Sequence, residues 1–346
     1  IRATTGRGRG IEFFETALED LKMSTSRRTA FAVTAMVAVG LLTLAAQGGG
    51  PGYKAKRINK AVELLEAKQP VWFTGAIGER DYEDGKKMAQ TYADYIDYGM
   101  EHEPFDMPKL RRFMQGLVDG GPTKSGHRTP AVIVTLPLLG ITEAQTRAGD
   151  WMVNQVLAAG VHGIMFCRAR NPGSVRALLE AGRWPFHKQG VGPGGLQEGY
   201  RGSGSQGFAA QIWGITPQEY MQKSDWWPLN PDGELLLALK MEDKYSSQNA
   251  TEIFKVPGIG FAEFGPGDSG LSYNGLRPAG AGQSPEVTAH RARILAATKA
   301  ANIFFMDSGV TPDNVEARLK EGAMISRVNE ATADKARKLT KRQMPW

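Results

Sequence analysis

Ala131-Val132-Ile133-Val134-Thr135-Leu136-Pro137 is the stretch whose reading settles the architecture. It carries no charge and is β-branched at Val132, Ile133, Val134 and Thr135. A strand that is apolar on both of its alternating faces belongs in a parallel sheet covered by helices, not in a half-solvated antiparallel one. Similar runs lie on either side. Val71-Trp72-Phe73-Thr74 and Tyr95-Ile96-Asp97-Tyr98-Gly99 precede it; residues 163–167, 235–241, 260–264 and 302–306 follow. Segments of helical periodicity separate them, at residues 57–67, 83–92, 107–117, 151–159, 174–181, 286–301 and 311–322. With a short strand near Gly190-Val191-Gly192, the spacing predicts eight strands alternating with helices. The fold class is therefore α/β, a (β/α)8 TIM barrel, with a doubly wound open sheet as the alternative.

Composition narrows the class further. Of 346 residues 42 are glycine, too many for an average domain, and they lack the triplet period of a collagen. The one cysteine, Cys167, excludes an intramolecular disulfide framework and any cysteine-based zinc cluster. A net charge of +6 is modest for this length, and no nucleic-acid-binding motif is present. The basic run Lys335, Arg337, Lys338, Lys341, Arg342 reads as the solvated face of a C-terminal helical tail.

Residues 30–46 form an almost continuous apolar run behind Arg27-Arg28, followed by Gln47-Gly48-Gly49-Gly50-Pro51. A basic start, an apolar middle and small residues at the end are the parts of a secretory signal, and 17 residues are short for a spanning helix. The expected organisation is an upstream extension at 1–22, a signal peptide at 23–46 opening on Met23, and one barrel domain at 47–346, in a periplasmic or secreted protein. An uncleaved anchor is the alternative, and export is otherwise the only expected dealing with a membrane.

In such a barrel the chemistry lies where strands end. Three polar residues meet that condition: His102 after the second strand, Glu242 after Met241, and Asp268 after Gly265-Pro266-Gly267. Two carboxylates at neighbouring strand ends suit a hard divalent ion that keeps positions open for water or substrate oxygens. His102, flanked by Glu101 and Glu103, is a candidate proton acceptor or relay. His127, His162, His187 and His290 have no companion pattern and read as structural. The glycine-rich stretch 190–207 lacks a P-loop ending and reads as a lid or wall. Trp213, Trp226 and Trp227 lie in or near this long loop, which is expected to pack against a neighbouring subunit, with a pocket wall for a bulky or aromatic substrate as the alternative.

Lys240-Met241-Glu242, then Asn249 to Ile253, Val256-Pro257-Gly258-Ile259 and Gly265-Pro266-Gly267-Asp268 together resemble the C-terminal half of the HpcH/HpaI aldolase family. Trp72, Gly99-Met100-Glu101-His102 and Arg183-Trp184-Pro185 with Gly190-Val191-Gly192 are similar to its earlier motifs, so the resemblance runs over about residues 54–335. It implies a barrel, a homo-oligomer (often a hexamer), and a metal-dependent carbon–carbon lyase that cleaves a 4-hydroxy-2-oxo acid to pyruvate and an aldehyde. By that resemblance Glu242 and Asp268 hold Mg²⁺, Mn²⁺ or Co²⁺, and the 2-oxo acid chelates the ion. Backbone N–H groups around Gly265, Pro266, Gly267, Asp268 and around Gly190 to Gly192 hold the carboxylate, and His102 joins the proton relay.

The chain departs from the pattern in three places. Leu136 stands where the family has an arginine that steadies the enolate, Gly99 where it has the aspartate partner of the histidine, and Gly270 where it has serine. Arg147, in an insertion between Pro137 and Trp151, and Arg168, after the fourth strand, are the candidate replacements. The other readings are a non-catalytic protein that captures a metal and a small oxo acid on the same barrel, and a CoA-ester lyase of the citrate-lyase β type. The latter lacks a clear basic cluster for the coenzyme.

Overall fold

The computed structural model describes residues 53–278 and 282–346, so the predicted signal segment lies outside the described residues. Nine strands form one parallel sheet: β1 (Val71–Gly75), β2 (Tyr95–Gly99), β3 (Ala131–Leu139), β4 (Gly163–Cys167), β5 (Trp226–Trp227), β6 (Leu235–Lys240), β7 (Phe261–Phe264), β8 (Phe304–Asp307) and β9 (Ala323–Arg327). The order is β4-β3-β2-β1-β9-β8-β7-β6-β5, and β4 also pairs with β6. That last pairing closes eight strands into a barrel and leaves the two-residue β5 outside the ring, against the start of β6. Closure depends on Gly163: a Cβ there would come within 2.5 Å of the Leu236 carbonyl oxygen on β6.

The expected barrel therefore stands, with one strand reassigned. Gly190-Val191-Gly192 forms no barrel strand; Val191 makes only an isolated bridge to Leu196. The eighth staved position is filled by β9, which follows the helix Val315–Glu321. Gly322, at φ 107°, ends that helix in the left-handed conformation that glycine adopts without steric cost and turns the chain into β9.

Two apolar layers follow from the alternation of side chains along each strand. One set faces helices such as Met107–Asp119 and Pro172–Gly182 and includes Val132, Val134, Leu136, Leu237 and Leu239. The other fills the barrel, with Phe73, Tyr95, Ile133, Met165, Ala238, Phe261, Met306 and Ile325. Phe73 and Tyr95 stack with ring centroids 4.5 Å apart. The helix Lys60–Glu66 plugs the end at which the strands begin, with Ala61, Val62, Leu64 and Leu65 buried against the interior set.

The C-terminal basic run divides between two fates. Lys335, Lys338 and Lys341 are exposed as expected. Arg337 and Arg342 instead turn under the barrel to the buried Asp94, where Lys60 Nζ also lies 3.3 Å from Oδ1. Trp213, Trp226 and Trp227 are buried within this chain rather than offered to a neighbouring subunit, and the indole N–H groups of the first two donate to the carbonyls of Gly160 and Leu179. The four remaining histidines are buried too. The glycine-rich segment, read as a lid or wall, lies away from the mouth, with Gly190 near Leu229 and Pro257. It packs on the helix Pro172–Gly182, where Gln197 N–H donates to Glu180.

Candidate active site

At the end where the strands finish, a cavity of about 480 Å³ opens. Phe73, Met165 and Met306 form its floor, and charged side chains form its wall. Asp97, Glu101, Glu103 and Glu263 line it together with Arg80, Lys240 and Arg327, and Glu242, Asp268 and Arg168 lie beside it, joined to it through Lys240. With every group counted as ionised, the carboxylates of the mouth outnumber its basic groups by two.

The structure places the two predicted carboxylates at neighbouring strand ends, both within reach of Arg168. Glu242 follows β6, and Asp268 sits in the first turn of the helix Pro266–Asn274, which follows β7. Arg168 joins them: its Nη2 donates to Asp268 Oδ1 at 3.0 Å and its Nε lies 3.9 Å from Glu242 Oε1. Lys240 Nζ approaches Glu242 Oε2 at 3.2 Å and donates to Glu101 at 2.6 Å. Glu242 is buried, yet its Oε1 has no hydrogen-bond partner. Burial raises its pKa to about 7, against the opposing pull of Lys240 and with help from Glu101, Glu263 and Asp268. Lys240 goes the other way: burial lowers it, but Cys167 and the carboxylates of Glu242, Glu263 and Glu101 outweigh this and raise it above the usual range.

These features fit a divalent ion. A buried carboxylate oxygen without a donor is a costly thing to leave unmatched. Here it lies beside a second carboxylate in a site with surplus negative charge. Among the described residues no group of three or more His, Cys, Asp or Glu is disposed around one point. An ion held by Glu242 and Asp268 would therefore keep most of its positions for water or substrate, as magnesium characteristically does.

The helix Pro266–Asn274 begins at Gly265 without a side-chain cap, so the N–H groups of Gly267 and Asp268 remain open at its start, and a Cβ on Gly267 would meet nothing within 4 Å. Gly265, Pro266 and Gly267 thus form an uncapped helix start at this end of the barrel. Gly190 and Gly192 are not part of this site. Gly190 packs near Leu229 and Pro257, residues that precede β6 and β7, at the opposite end of the barrel.

The two candidate arginines also separate. Arg147 lies on the outer helices, bonded to Glu143 and to the buried Glu180, and does not reach the mouth. Arg168 does, from a backbone at φ 50°, a strained conformation for a residue with a side chain. Leu136 faces the outer helices. His102 lines the cavity but its side chain is 75% exposed, with Nε2 3.5 Å from Glu101.

Asp97, Lys240 and Glu263 were not singled out in the sequence. The signal was there: each is a charge inside a strand that is otherwise apolar, and in a closed barrel such a charge must face either the helices or the mouth. Asp97 Oδ1 accepts from the Thr135 hydroxyl at 2.7 Å, and burial raises its carboxyl. Glu263 Oε1 accepts from the Ser308 hydroxyl at 3.0 Å, and burial raises it likewise.

No protein-family profile and no curated protein sequence matches the chain. Solved structures do. An HpcH/HpaI aldolase/citrate lyase family protein from Burkholderia cenocepacia J2315 is 18% identical at a TM-score of 0.61, over 82% of this chain and 97% of that one. HpcH/HpaI aldolase from Desulfitobacterium hafniense DCB-2 is 16% identical at 0.57, over 81% and 96%. Macrophomate synthase is 17% identical at 0.55, over 85% and 95%. At these identities the likeness is one of fold.

Proposed function

We propose that the protein is a metal-dependent carbon–carbon lyase that cleaves a 4-hydroxy-2-oxo acid to pyruvate and an aldehyde. One observation carries this reading: the buried, unmatched Oε1 of Glu242 beside Asp268, at neighbouring strand ends of a barrel mouth short of positive charge. Glu242 and Asp268 would hold the ion. When bound, it supplies Lewis-acid polarisation of the 2-oxo group, which makes the bond between C3 and C4 breakable.

The chain's own groups do the rest. The open N–H groups of Gly267 and Asp268 orient the substrate carboxylate at a helix N-terminus, where partial positive charge favours an anion. Arg168 brings to this side of the mouth, beside Glu242 and Asp268, the guanidinium that Leu136 cannot provide, where it would steady negative charge that grows on the substrate. Lys240 keeps Glu101 and Glu242 in place. Phe73, Met165 and Met306 wall off water from below.

The test is pyruvate release from a panel of 4-hydroxy-2-oxo acids by the full chain, with EDTA and with added Mg²⁺, Mn²⁺ or Co²⁺. Release that needs the ion and vanishes in Glu242→Gln and Asp268→Asn is expected; undiminished turnover in either variant sinks the reading. A second reading, capture of an oxo acid without turnover, draws on the ion pair that already engages Arg168 with Asp268. It predicts that oxalate raises the melting temperature of the Mg²⁺-loaded protein while no pyruvate is released. The reading includes export, as the apolar run at residues 30–46 predicts, and a homo-oligomer, which the exposed Leu271 and Leu276 support.

A further inference from the structure

Glu263 is a charged residue for which the scheme above has no use. It lies in β7 between Ala262 and Phe264, on the alternating face that lines the cavity. Oε1 is fixed by Ser308, while Oε2 is buried and has no partner. A carboxylate with one oxygen anchored and the other left bare at a cavity wall is costly to fold unless something enters the cavity to meet it. His102, to which the sequence assigned the proton relay, is in the opposite condition: it is largely in solvent and is loosely held by Glu101.

We propose that Glu263, anchored by Ser308, is the group that moves the proton during cleavage. The proposal rests on the lyase reading. Glu263 Oε2 takes the proton of the substrate's 4-hydroxyl. The electron pair left on that oxygen becomes the carbonyl bond of the departing aldehyde, the C3–C4 bond breaks, and its electrons pass into the enolate of pyruvate. Glu263 then returns the proton to C3. One proton is taken and one is given back, so no oxidant, reductant or further reactant is needed. Burial favours the carboxyl over the carboxylate, which suits the second half of this exchange. Asp97, Glu101 and Lys240 are the charged groups that act on it. The apolar floor keeps the proton from passing to bulk water.

The test reads the half-reaction alone: exchange of the C3 hydrogens of pyruvate for deuterium, followed by proton NMR with the full chain and Mg²⁺. Glu263→Gln is expected to slow both exchange and cleavage by about 10²–10⁴-fold, the usual worth of a positioned acid–base group, with oxalate affinity within about threefold of the parent. Glu263→Asp should recover part of the rate. Ser308→Ala keeps the carboxylate but frees it, and should lower kcat by about tenfold at unchanged KM; parental kcat in that variant counts against the proposal, whatever the folding of Glu263→Gln. Parental exchange in Glu263→Gln, with loss confined to His102→Asn, overturns it in favour of the histidine. A parent protein that binds oxalate but neither exchanges nor cleaves overturns the lyase reading and this proposal together, a pattern distinct from failure at Glu263 alone.

Discussion

Arg168 and Arg147 look alike in the sequence, each an arginine beyond a strand, and the structure gives them different work. Arg168 bridges the two candidate ligand carboxylates from a left-handed backbone. Strain of about 1–2 kcal/mol at a side-chain-bearing residue persists where a function holds it. Arg168→Ala is expected to lower kcat by about 10²–10³-fold, the range for loss of one charge-stabilising donor, and to leave the melting temperature near that of the parent. Arg147→Ala should do the reverse. It strands Glu180, which is 1% exposed and otherwise receives only the Gln197 N–H, so a loss of about 2 kcal/mol in urea unfolding is expected with kcat per folded molecule unchanged. Steady-state kinetics and denaturation on the same two variants separate the roles, and equal kinetic damage in both would refute the separation.

At the scale of elements, the two ends of the barrel are built on different plans. The end where strands begin is sealed by the helix Lys60–Glu66 and by the C-terminal segment, locked through Asp94 to Lys60, Arg337 and Arg342. Arg342 is nearly fully buried, and its Nη1 donates to Asp94 at 2.8 Å. Removing one partner of a buried pair typically costs about 3–5 kcal/mol, so Arg342→Ala should lower the urea midpoint while leaving mouth chemistry intact in the folded fraction. A midpoint shifted by less than an ordinary surface substitution would show that Lys60 and Arg337 suffice. The sequence disclosed most of this architecture because strands such as Ala131–Leu139 and Gly163–Cys167 are apolar on both faces. It hid β9, since Ala323-Met324-Ile325-Ser326-Arg327 is short, ends in polar residues and follows a helix directly. Glu242 and Asp268, the pair proposed to hold the ion, could be named from their places after strand ends. Asp97, Lys240 and Glu263 were not, because a charge within a strand can be located only once the inward face is known. The basic tail misled for the same reason: spacing shows a charged face, but not the buried Asp94 that draws two of its arginines inward.

For the whole molecule, these two plans imply opposite responses to acid. In the EDTA-treated protein, Glu242, near about 7, and the raised Asp97 and Glu263 bind protons more readily folded than unfolded. Acidifying from neutrality therefore favours the folded state through them. The buried His162 and His290, lowered by burial to about 3 and about 4, act the other way: they bind protons only on unfolding, so their contribution falls as pH drops below about 6.5. The two sets oppose each other between about pH 6.5 and 4.5. Below that the sealed end decides. Burial pushes Glu63 up, but bonds from His127, Tyr53 and the Lys56 N–H outweigh it and hold the carboxyl near about 2. A folded pKa below the unfolded one gives stability that is whole above about pH 4.5 and is lost as pH falls toward 2. The full shift corresponds to about 3 kcal/mol as an upper bound, at about 1.4 kcal/mol per unit. Glu63→Gln should thus be less stable than the parent at pH 7 and 4.5, with the gap narrowed to roughly half or less by pH 3, as read from urea midpoints at pH 7, 4.5 and 3. A constant gap across that range would mean that Glu63 supports the plug by packing alone and that its charge contributes nothing.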